Sequence, residues 1–397
     1  MSEKKCPVLD IAKVNNAHGH VEAYATVREG GPVARSEDLG GYWALLGYTE
    51  VREGANDTER LCSGLGSTIP ALGMTFRPIP VEVDPPHHRN YRKILVPELR
   101  PDRVADWTDL IRRKADEAID TFIENGKGDL CAIARYMPPA VIAAILGVPE
   151  DGPLMVKLTD DINRAATEND AEGKKNANIA LFRYVDQIVT AAEQSEDRAD
   201  LLTFIAKAEI EGAPIGHDIA VAMTVTLVIA GQETTVNGIG GSLWRLGAHQ
   251  DVKKRLIEDP SLIPAAVEES LRLESPVQMM GRTATSDFEL QGVPISKGDR
   301  VGLAFGAANV DPAKFESPEK FDLDRTGNPH VAFGHGIHRC IGEHLARLEM
   351  RVAIEQVLTR MPDFALDGEI EIGSNIPINR GPKAVPVTFT PGSRVYA

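Results

Sequence analysis

The feature that most constrains the fold is a long apolar helical stretch with a polar break at its centre. Over the first half of residues 218–246 the side chains are apolar on most sides of the helical repeat, which predicts a helix buried along that half. At about 1.5 Å per residue it would run roughly 40 Å, across a large domain. The central run Ala230-Gly231-Gln232-Glu233-Thr234-Thr235 places a glycine and two threonines inside this helix. Because glycine weakens a helix and threonine competes for its carbonyls, we expect a kink and a functional site there.

The composition is that of a folded, acidic protein. The chain has 397 residues, with 43 Lys and Arg against 58 Asp and Glu, a net charge of −15. A chain of this length buries a large core without disulfide bonds. The hydrophobic share of 43% excludes a disordered or fibrous chain. The acidic balance argues against sequence-independent binding to nucleic acid, which requires a cationic surface.

Compartment and membrane signals point to the cytoplasm. The four cysteines contain no C-x-x-C pair, which favours a reducing compartment. The first ten residues contain no apolar signal core. The longest apolar stretches, 137–148 and 219–230, are shorter than the roughly 20 residues that span a membrane. We therefore expect a cytoplasmic protein with no membrane span and no nucleic-acid partner.

The remaining pattern predicts one mainly helical domain over residues 1–397, with 1–12 as a flexible N-terminal segment. A loop rich in Gly and Pro at 62–86 is long for a compact domain, and such loops are usually functional. Helical spacing of apolar residues occurs at 13–28, 99–125, 138–146, 153–166, 178–192, 201–208 and 263–273. Strand-like runs occur at 33–36, 42–46, 277–284, 288–290, 300–304 and 384–390.

The strongest chemical signal is a cysteine in a glycine-rich turn directly before a helix, Phe333-Gly334-His335-Gly336-Ile337-His338-Arg339-Cys340-Ile341-Gly342. A helix N-terminus favours negative charge and therefore a thiolate. The glycines permit close backbone approach to a flat or bulky group. An inert buried cysteine, a Cys–His nucleophile and a metal ligand are the alternatives. The nucleophile leaves the flanking glycines and the polar break of the central helix unexplained.

This stretch resembles the haem-binding segment of the cytochrome P450 haem-thiolate monooxygenases, F-x-x-G-x-x-x-C-x-G. The resemblance implies that Cys340 is the axial thiolate of a haem b and that Phe333, Gly334 and Gly342 surround the haem. The thiolate would donate electron density to the iron. The implied fold is a single triangular domain, mainly α with a small β region, holding the haem between the long central helix and the helix after the cysteine loop.

Two further motifs occur in the order that the family has them. Glu269-Ser270-Leu271-Arg272 matches the E-x-x-R motif, whose two side chains share a helix face and pair, with Arg325 implied as the third, structural member. The break at 230–235 resembles the oxygen-binding groove. The resemblance implies that Glu233 and Thr234 are the catalytic acid–alcohol pair, which supplies protons for O2 activation, and that Ala230 lies against the haem.

A fourth motif concerns the two haem propionates. Asp84-Pro85-Pro86-His87-His88-Arg89-Asn90-Tyr91-Arg92 resembles the family pattern D-P-P-x-H-x-x-x-R, which places His88 and Arg92 on one helix face. Buried carboxylates require paired donors, and the planar guanidinium of Arg suits them. By the resemblance, the propionate partners are His88, Arg92, Arg282 and His338.

By matching positions, the substrate lies over the distal face of the haem. The implied wall is mostly apolar, as ligand pockets are, with Gln278 as a polar anchor. It predicts a small or medium apolar substrate such as a terpenoid, an aromatic or a short lipid. The candidate wall residues are Met74, Phe76, Ile79, Thr226, Ile229, Ala230, Gln278, Met280 and Ile376.

Together, the resemblance and the motifs predict a monomeric, O2-dependent monooxygenase. It would receive electrons from NAD(P)H through a separate ferredoxin and its reductase. Segment 87–103 has a net charge of +3 in an acidic protein. With Arg339 and Arg347 it predicts a basic patch that steers an acidic ferredoxin. A peroxide-driven haem-thiolate enzyme and a non-catalytic haem sensor remain the alternatives.

Overall fold

The computed structural model describes residues 7–15, 18–69, 76–168, 170–196, 200–373 and 379–396, and within these it is mainly helical. Short 3-10 helices lie at Asp38–Gly40, Val96–Leu99, Ile123–Asn125, Pro149–Asp151, Pro260–Leu262 and Gly336–His338. The α-helices are α1 Ile11–Asn15, α2 His20–Arg28, α3 Tyr48–Asn56, α4 His88–Leu95, α5 Pro101–Ala105, α6 Thr108–Asp120, α7 Cys131–Ile145, α8 Gly152–Thr167, α9 Ala171–Glu193, α10 Leu201–Ala206, α11 His217–Ala230, α12 Glu233–Ala248, α13 Gln250–Glu258, α14 Ile263–Glu274, α15 Phe305–Asn309 and α16 Glu343–Arg360.

The β-structure is small and lies in several separate sheets. One mixed sheet has the order β1-β2-β10-β7-β3, in which β2 and β10 are parallel. A second sheet has the order β11-β12-β4, and β5–β6 and β8–β9 are two-stranded. The strands are β1 Val33–Ser36, β2 Tyr42–Leu45, β3 Leu61–Cys62, β4 Lys127–Asp129, β5 Glu209–Ile210, β6 Ala213–Pro214, β7 Met280–Ala284, β8 Phe288–Leu290, β9 Val293–Ile295, β10 Arg300–Leu303, β11 Ala365–Leu366 and β12 Pro386–Thr388.

The predicted central helix is present and is broken where the sequence indicates. α11 ends at Ala230 and α12 begins at Glu233. Between them Gln232 has φ −97° and ψ −83°, outside helical geometry. Helix α12 packs against α7, α14 and α16, so the break lies in the interior of the fold. The mainly helical fold class predicted from the sequence is confirmed.

Among the described residues, one stretch, His217–Ala248, is long enough and apolar enough to cross a membrane. The expectation that the apolar stretches are too short for a span is corrected on this point, because the two halves together reach 32 residues. Buried residues make up 56% of its apolar window. This burial and the polar break fit a core helix pair.

The structure corrects three expectations from the sequence, two about helix bounds and one about the N-terminal segment. The predicted helix 13–28 is two helices, α1 and α2. The predicted helix 99–125 is divided into α5, α6 and a 3-10 turn, with Pro101 starting α5. Residues 7–11 were expected to be flexible, but the Leu9 N–H donates to the carbonyl of Arg35 at 2.9 Å, and Leu9 and Ile11 are fully buried. Residues 1–6 lie outside the described residues.

Candidate active site

A cavity of about 760 Å³ lies between the broken central helix and the cysteine loop. Helix α12 and the end of α11 form one wall, and residues 332–342 with the first turns of α16 form the opposite wall. The loop at 66–68 and 76–82 and strand β7 contribute the remaining sides. The motifs that are distant in sequence therefore meet around one space.

The cysteine loop is shaped by backbone hydrogen bonds and by glycines. The N–H of Cys340 donates to the carbonyl of Phe333 at 2.8 Å, which closes the loop. Gly336 has φ +70°, and a Cβ there would lie 2.6 Å from the carbonyl oxygen of Ala55, so this turn requires glycine. The turn delivers Cys340 and Gly342 to the cavity surface directly before α16.

The thiol of Cys340 is surrounded by protein but keeps accessible surface, because it lines the cavity. Burial raises the pKa of the Cys340 thiol, and a hydrogen bond from the N–H of Gly342 and the positive charges of Arg92 and Arg347 oppose this shift. The expectation that the helix N-terminus lowers this pKa is thus corrected for the thiol by itself: desolvation is the larger effect.

Two histidines of the predicted propionate set lie together on the cavity wall. The rings of His88 and His338 are 4.4 Å apart between centroids. His88 is buried, and its Nε2 has no hydrogen-bond partner among the described residues. Burial and the neighbouring Arg282 lower the pKa of His338 to about 3, so this imidazole is neutral. Oγ of Ser63, a residue that the sequence analysis missed, lies 3.1 Å from Nε2 of His338.

Two arginines complete this set. Arg92 donates to the carbonyl of Arg339 at 2.5 Å, which joins α4 to the cysteine loop. Arg282 is buried, and burial lowers its pKa to about 10. No described carboxylate lies within ion-pair distance of Arg92 or Arg282. A buried arginine and a half-buried one, both without an anionic partner among the described residues, lie on the same cavity as the Cys340 thiol and the unpaired Nε2 of His88. These groups can bind the iron and the two propionates of a haem, so the residues fit that cofactor.

The E-x-x-R pair forms a buried structural cluster behind the cysteine loop. Nη2 of Arg272 donates to Oε1 of Glu269 at 2.8 Å, and Nε of Arg325 donates to the same oxygen at 3.0 Å. Arg272 also donates to the carbonyls of Asn309, Pro318 and Lys320. Glu269, Arg272 and Arg325 are brought together as the resemblance implies, and they do not line the cavity.

Across the cavity, the break of the central helix presents Glu233 and Thr234 to the interior. Oγ1 of Thr234 donates to the carbonyl of Ala230 at 2.8 Å. The buried Gln232 at the break accepts a hydrogen bond on Oε1 from Oγ1 of Thr159 in α8 at 2.7 Å. The acid and the alcohol therefore lie on the wall opposite Cys340, with the break held from outside by α8.

Only some of the residues predicted to contact the substrate line the cavity. Phe76, Thr226, Ile229, Ala230 and Met280 line the cavity, and the hydroxyl of Thr226 donates to the carbonyl of Ala222. Two predictions are corrected by burial elsewhere. Ile79 packs into the hydrophobic core, and Gln278 is fully buried away from the cavity. Its Nε2 donates to the carbonyls of Glu274 and Ser275, and its Oε1 accepts from the hydroxyl of Tyr24. Met74 and Ile376 lie outside the described residues.

One residue at the cavity belongs to none of the motifs found in the sequence. Glu349 lies on α16 two turns beyond Gly342 and lines the cavity, yet it is only 3% exposed. No described residue forms a hydrogen bond or ion pair with its carboxyl group, and burial raises its pKa to about 8. The helical repeat that places Gly342, Leu345 and Ala346 on one face could have identified it.

Known proteins resemble this chain along nearly its whole length. Residues 150–362 match the family described as Cytochrome P450. The chain is 35% identical over 386 residues to a steroid C26-monooxygenase of Mycolicibacterium smegmatis, covering 96% of this chain and 95% of that protein. It is 34% identical over 385 residues to a vitamin D(3) 25-hydroxylase of Pseudonocardia autotrophica, covering 94% of each.

Solved structures agree with the fold. CYP108D1 of Novosphingobium aromaticivorans superposes with a TM-score of 0.86 at 30% identity, covering 97% of each chain. PksS, the cytochrome P450 of the bacillaene polyketide synthase of Bacillus subtilis, gives a TM-score of 0.88 at 28% identity, with 96% of this chain and 100% of that chain covered. With these matches and a thiol, unpaired cations and an acid–alcohol pair around one cavity, the chain belongs to the cytochrome P450 family.

Proposed function

We propose that this cytochrome P450 monooxygenase uses O2 to hydroxylate a medium-sized apolar substrate in the cytoplasm, with electrons from NAD(P)H delivered by a separate ferredoxin and its reductase. The observation that carries the proposal is the position of Glu233 and Thr234 across one cavity from Cys340. Activation of O2 requires proton delivery, whereas peroxide brings its own oxygens and protons. The acid–alcohol pair therefore favours the O2 route over a peroxide-driven one.

Haem held by Cys340 would supply the chemistry of O2 activation. The chain's own residues have separate roles around it. His88, Arg92 and Arg282 would provide donors for the two propionates. Because the proton of the Thr234 hydroxyl is donated to Ala230, its oxygen is free to accept a hydrogen bond from a water molecule in the cavity. Glu233, at the first turn of α12, is the group that carries protons toward that water.

The substrate class is supported by the wall and by the relatives. Phe76, Ile229, Val277 and Met280 make the described wall largely apolar. Relatives over most of the chain are named for steroid and vitamin D(3) substrates. We propose that a steroid-like or terpenoid molecule fits this chain better than a small aromatic.

The electron donor is proposed to dock where α4 meets the cysteine loop. The structure reduces the number of unpaired cations on this surface, because most of its arginines form ion pairs. Arg100 lies 3.1 Å from Asp102, and Arg103 lies 3.1 Å from Glu98. Arg339 and Arg347 both pair with Glu343. Two exposed cations of α4 have no described carboxylate within ion-pair distance: Arg89 and Lys93. These two are the charges proposed to face an acidic ferredoxin.

The test starts with the haem-loaded protein. A panel of steroid ketones, terpenoids and aromatic compounds is screened for the shift of the Soret band that follows displacement of water from the iron. The compound that binds best is then offered with ferredoxin, reductase and NAD(P)H, or with hydrogen peroxide alone. Product formation in the first reaction supports the proposal. Turnover with peroxide only, or no spectral response to any compound, contradicts it.

A further inference from the structure

A half-buried arginine that belongs to none of the motifs holds one wall of the cavity. Arg300, at the start of β10, donates to three backbone carbonyls of segment 65–68. The distances are 3.3 Å to Leu65, 2.9 Å to Gly66 and 2.9 Å to Thr68. Its Nη1 also donates to the hydroxyl of Thr283 in β7 at 2.5 Å. One side chain therefore ties the loop to the central strands of the mixed sheet.

The charge of Arg300 is satisfied by the loop and not by an acid. Its guanidinium is half-buried, and burial lowers its pKa, with only the more distant Glu82 and Cys62 opposing this shift. No described carboxylate lies within ion-pair distance of it. Hydrogen bonds from a charged donor are stronger than bonds between neutral groups. The loop carbonyls are thus the main partners of this cation.

The backbone around Arg300 is arranged to admit the guanidinium. A Cβ on Gly281 of β7 would lie 2.7 Å from Nη2 of Arg300 and 3.0 Å from the side chain of Ile69. A side chain at position 281 would therefore displace either the guanidinium or Ile69. Gly66, whose carbonyl Arg300 binds, has φ +114°, which favours glycine. Glycine at both positions suits the present placement of Arg300.

Segment 65–68 is also hydrogen-bonded to strand β7 and to Glu82. The N–H of Gly281 donates to the carbonyl of Ser67 at 2.7 Å. The N–H and the Oγ of Ser67 both donate to Oε1 of Glu82, at 2.8 and 2.9 Å. Gly66, Ser67, Thr68 and Glu82 all line the cavity. Because Ser67 is bonded to Glu82, a displacement of segment 65–68 from the sheet would also disturb the cavity wall at Glu82.

We propose that Arg300 is a positioning residue that fixes segment 65–68 as a cavity wall and thereby determines which bulky ligands the site accepts. The inference rests on the proposed function in one respect, because the ligand-binding part of its test is carried out on the haem-loaded protein. The anchoring itself is a property of the chain.

The test compares Arg300→Gln with Arg300→Lys and with Arg35→Gln, a matched control on β1 whose arginine pairs with the exposed Glu37. In Arg300→Gln, backbone amides of residues 63–69 are expected to exchange with deuterium about tenfold faster or more, while amides of α12 do not change. The haem-loaded variants are titrated with imidazole, which is small, and with econazole, which is bulky. Arg300→Gln is expected to weaken econazole binding by about fivefold or more and imidazole binding by less than about twofold. Lysine should restore part of the affinity, because it keeps the charge but not the fork.

Unchanged amide exchange at 63–69 in Arg300→Gln overturns the inference, as does equal weakening of both azoles. The exchange experiment requires no haem, so it decides the role of Arg300 even if wild-type protein bound no imidazole. That last result would instead remove the haem assignment on which the proposed function depends.

Discussion

The hydroxyl of Thr234 donates to the carbonyl of Ala230 at 2.8 Å, so this side chain spans the gap between the two halves of the central helix. A hydroxyl has one proton to donate and two lone pairs to accept. Because the proton is committed to Ala230, Thr234 acts toward the cavity as a hydrogen-bond acceptor. The same bond that bridges the break in the helix therefore leaves an acceptor for water opposite Cys340.

Replacing this hydroxyl should separate electron consumption from product formation. In Thr234→Ala, the ratio of product to NAD(P)H oxidised is expected to fall by about tenfold or more, with hydrogen peroxide released instead, because no acceptor holds the proton-donating water. Thr234→Ser keeps the hydroxyl and is the matched control. An unchanged product ratio in Thr234→Ala would remove Thr234 from the proton route.

The buried cluster of Glu269 predicts a large stability difference between two neighbouring carboxylates. Glu269→Gln leaves Arg272 and Arg325 buried without their anion and should cost about 3–5 kcal/mol of unfolding free energy. Glu268→Gln is the control on the same helix. Glu268 pairs with both Arg347 and His330, but its side chain is 30% exposed, so the cost should be smaller than that of Glu269→Gln. Chemical denaturation of both variants measures the difference. Equal losses would contradict the assigned role of the cluster.

Glu349 predicts a pH dependence of stability. Burial raises its pKa to about 8, above the usual value of 4.5, so the folded state binds its proton more tightly than the unfolded chain does. Stability should therefore fall as pH rises from about 4.5 through about 8, by up to about 1.4 kcal/mol per pH unit. Glu349→Gln should lose this contribution, so its stability relative to wild type should increase across that range. Parallel pH profiles for the two proteins would show that the carboxyl group is not held protonated.

The surface charges of α4 can be tested by reduction kinetics. Arg89→Gln with Lys93→Gln should slow reduction by an acidic ferredoxin several-fold at low salt, because unpaired cations steer association. The difference from wild type should disappear at high salt, where charges are screened. Arg100→Gln is the control, since that arginine is already paired with Asp102. A loss confined to Arg100→Gln would place the docking surface elsewhere.

The local motifs were predictable because each is a short run whose chemistry depends on spacing. The helix break at Gly231 and Gln232 follows from a glycine and competing polar side chains within an apolar helix. The family and the helical fold followed from the cysteine segment together with the other motifs.

Features that depend on distant partners were not predictable. Gln278 has the chemistry of a polar anchor, but Tyr24, 254 positions away, binds its amide oxygen and keeps it out of the cavity. Arg300 begins a strand-like run that the sequence indicates, but its carbonyl partners at Gly66 and Thr68 are more than 200 positions away and follow only from the fold. The pKa of the Cys340 thiol is a further example. The sequence shows that the cysteine precedes a helix, but the desolvation that raises its pKa arises from packing.

The central claim is that the sulfur of Cys340 binds haem iron, and the spectrum of the reduced protein with carbon monoxide tests it most directly. The wild-type protein, loaded with haem, is expected to show the red-shifted Soret band of a thiolate-ligated carbonyl complex, and Cys340→His is expected to lose it. A wild-type spectrum like that of a histidine-ligated globin, or folded protein that stays colourless after haem is supplied, would contradict the claim.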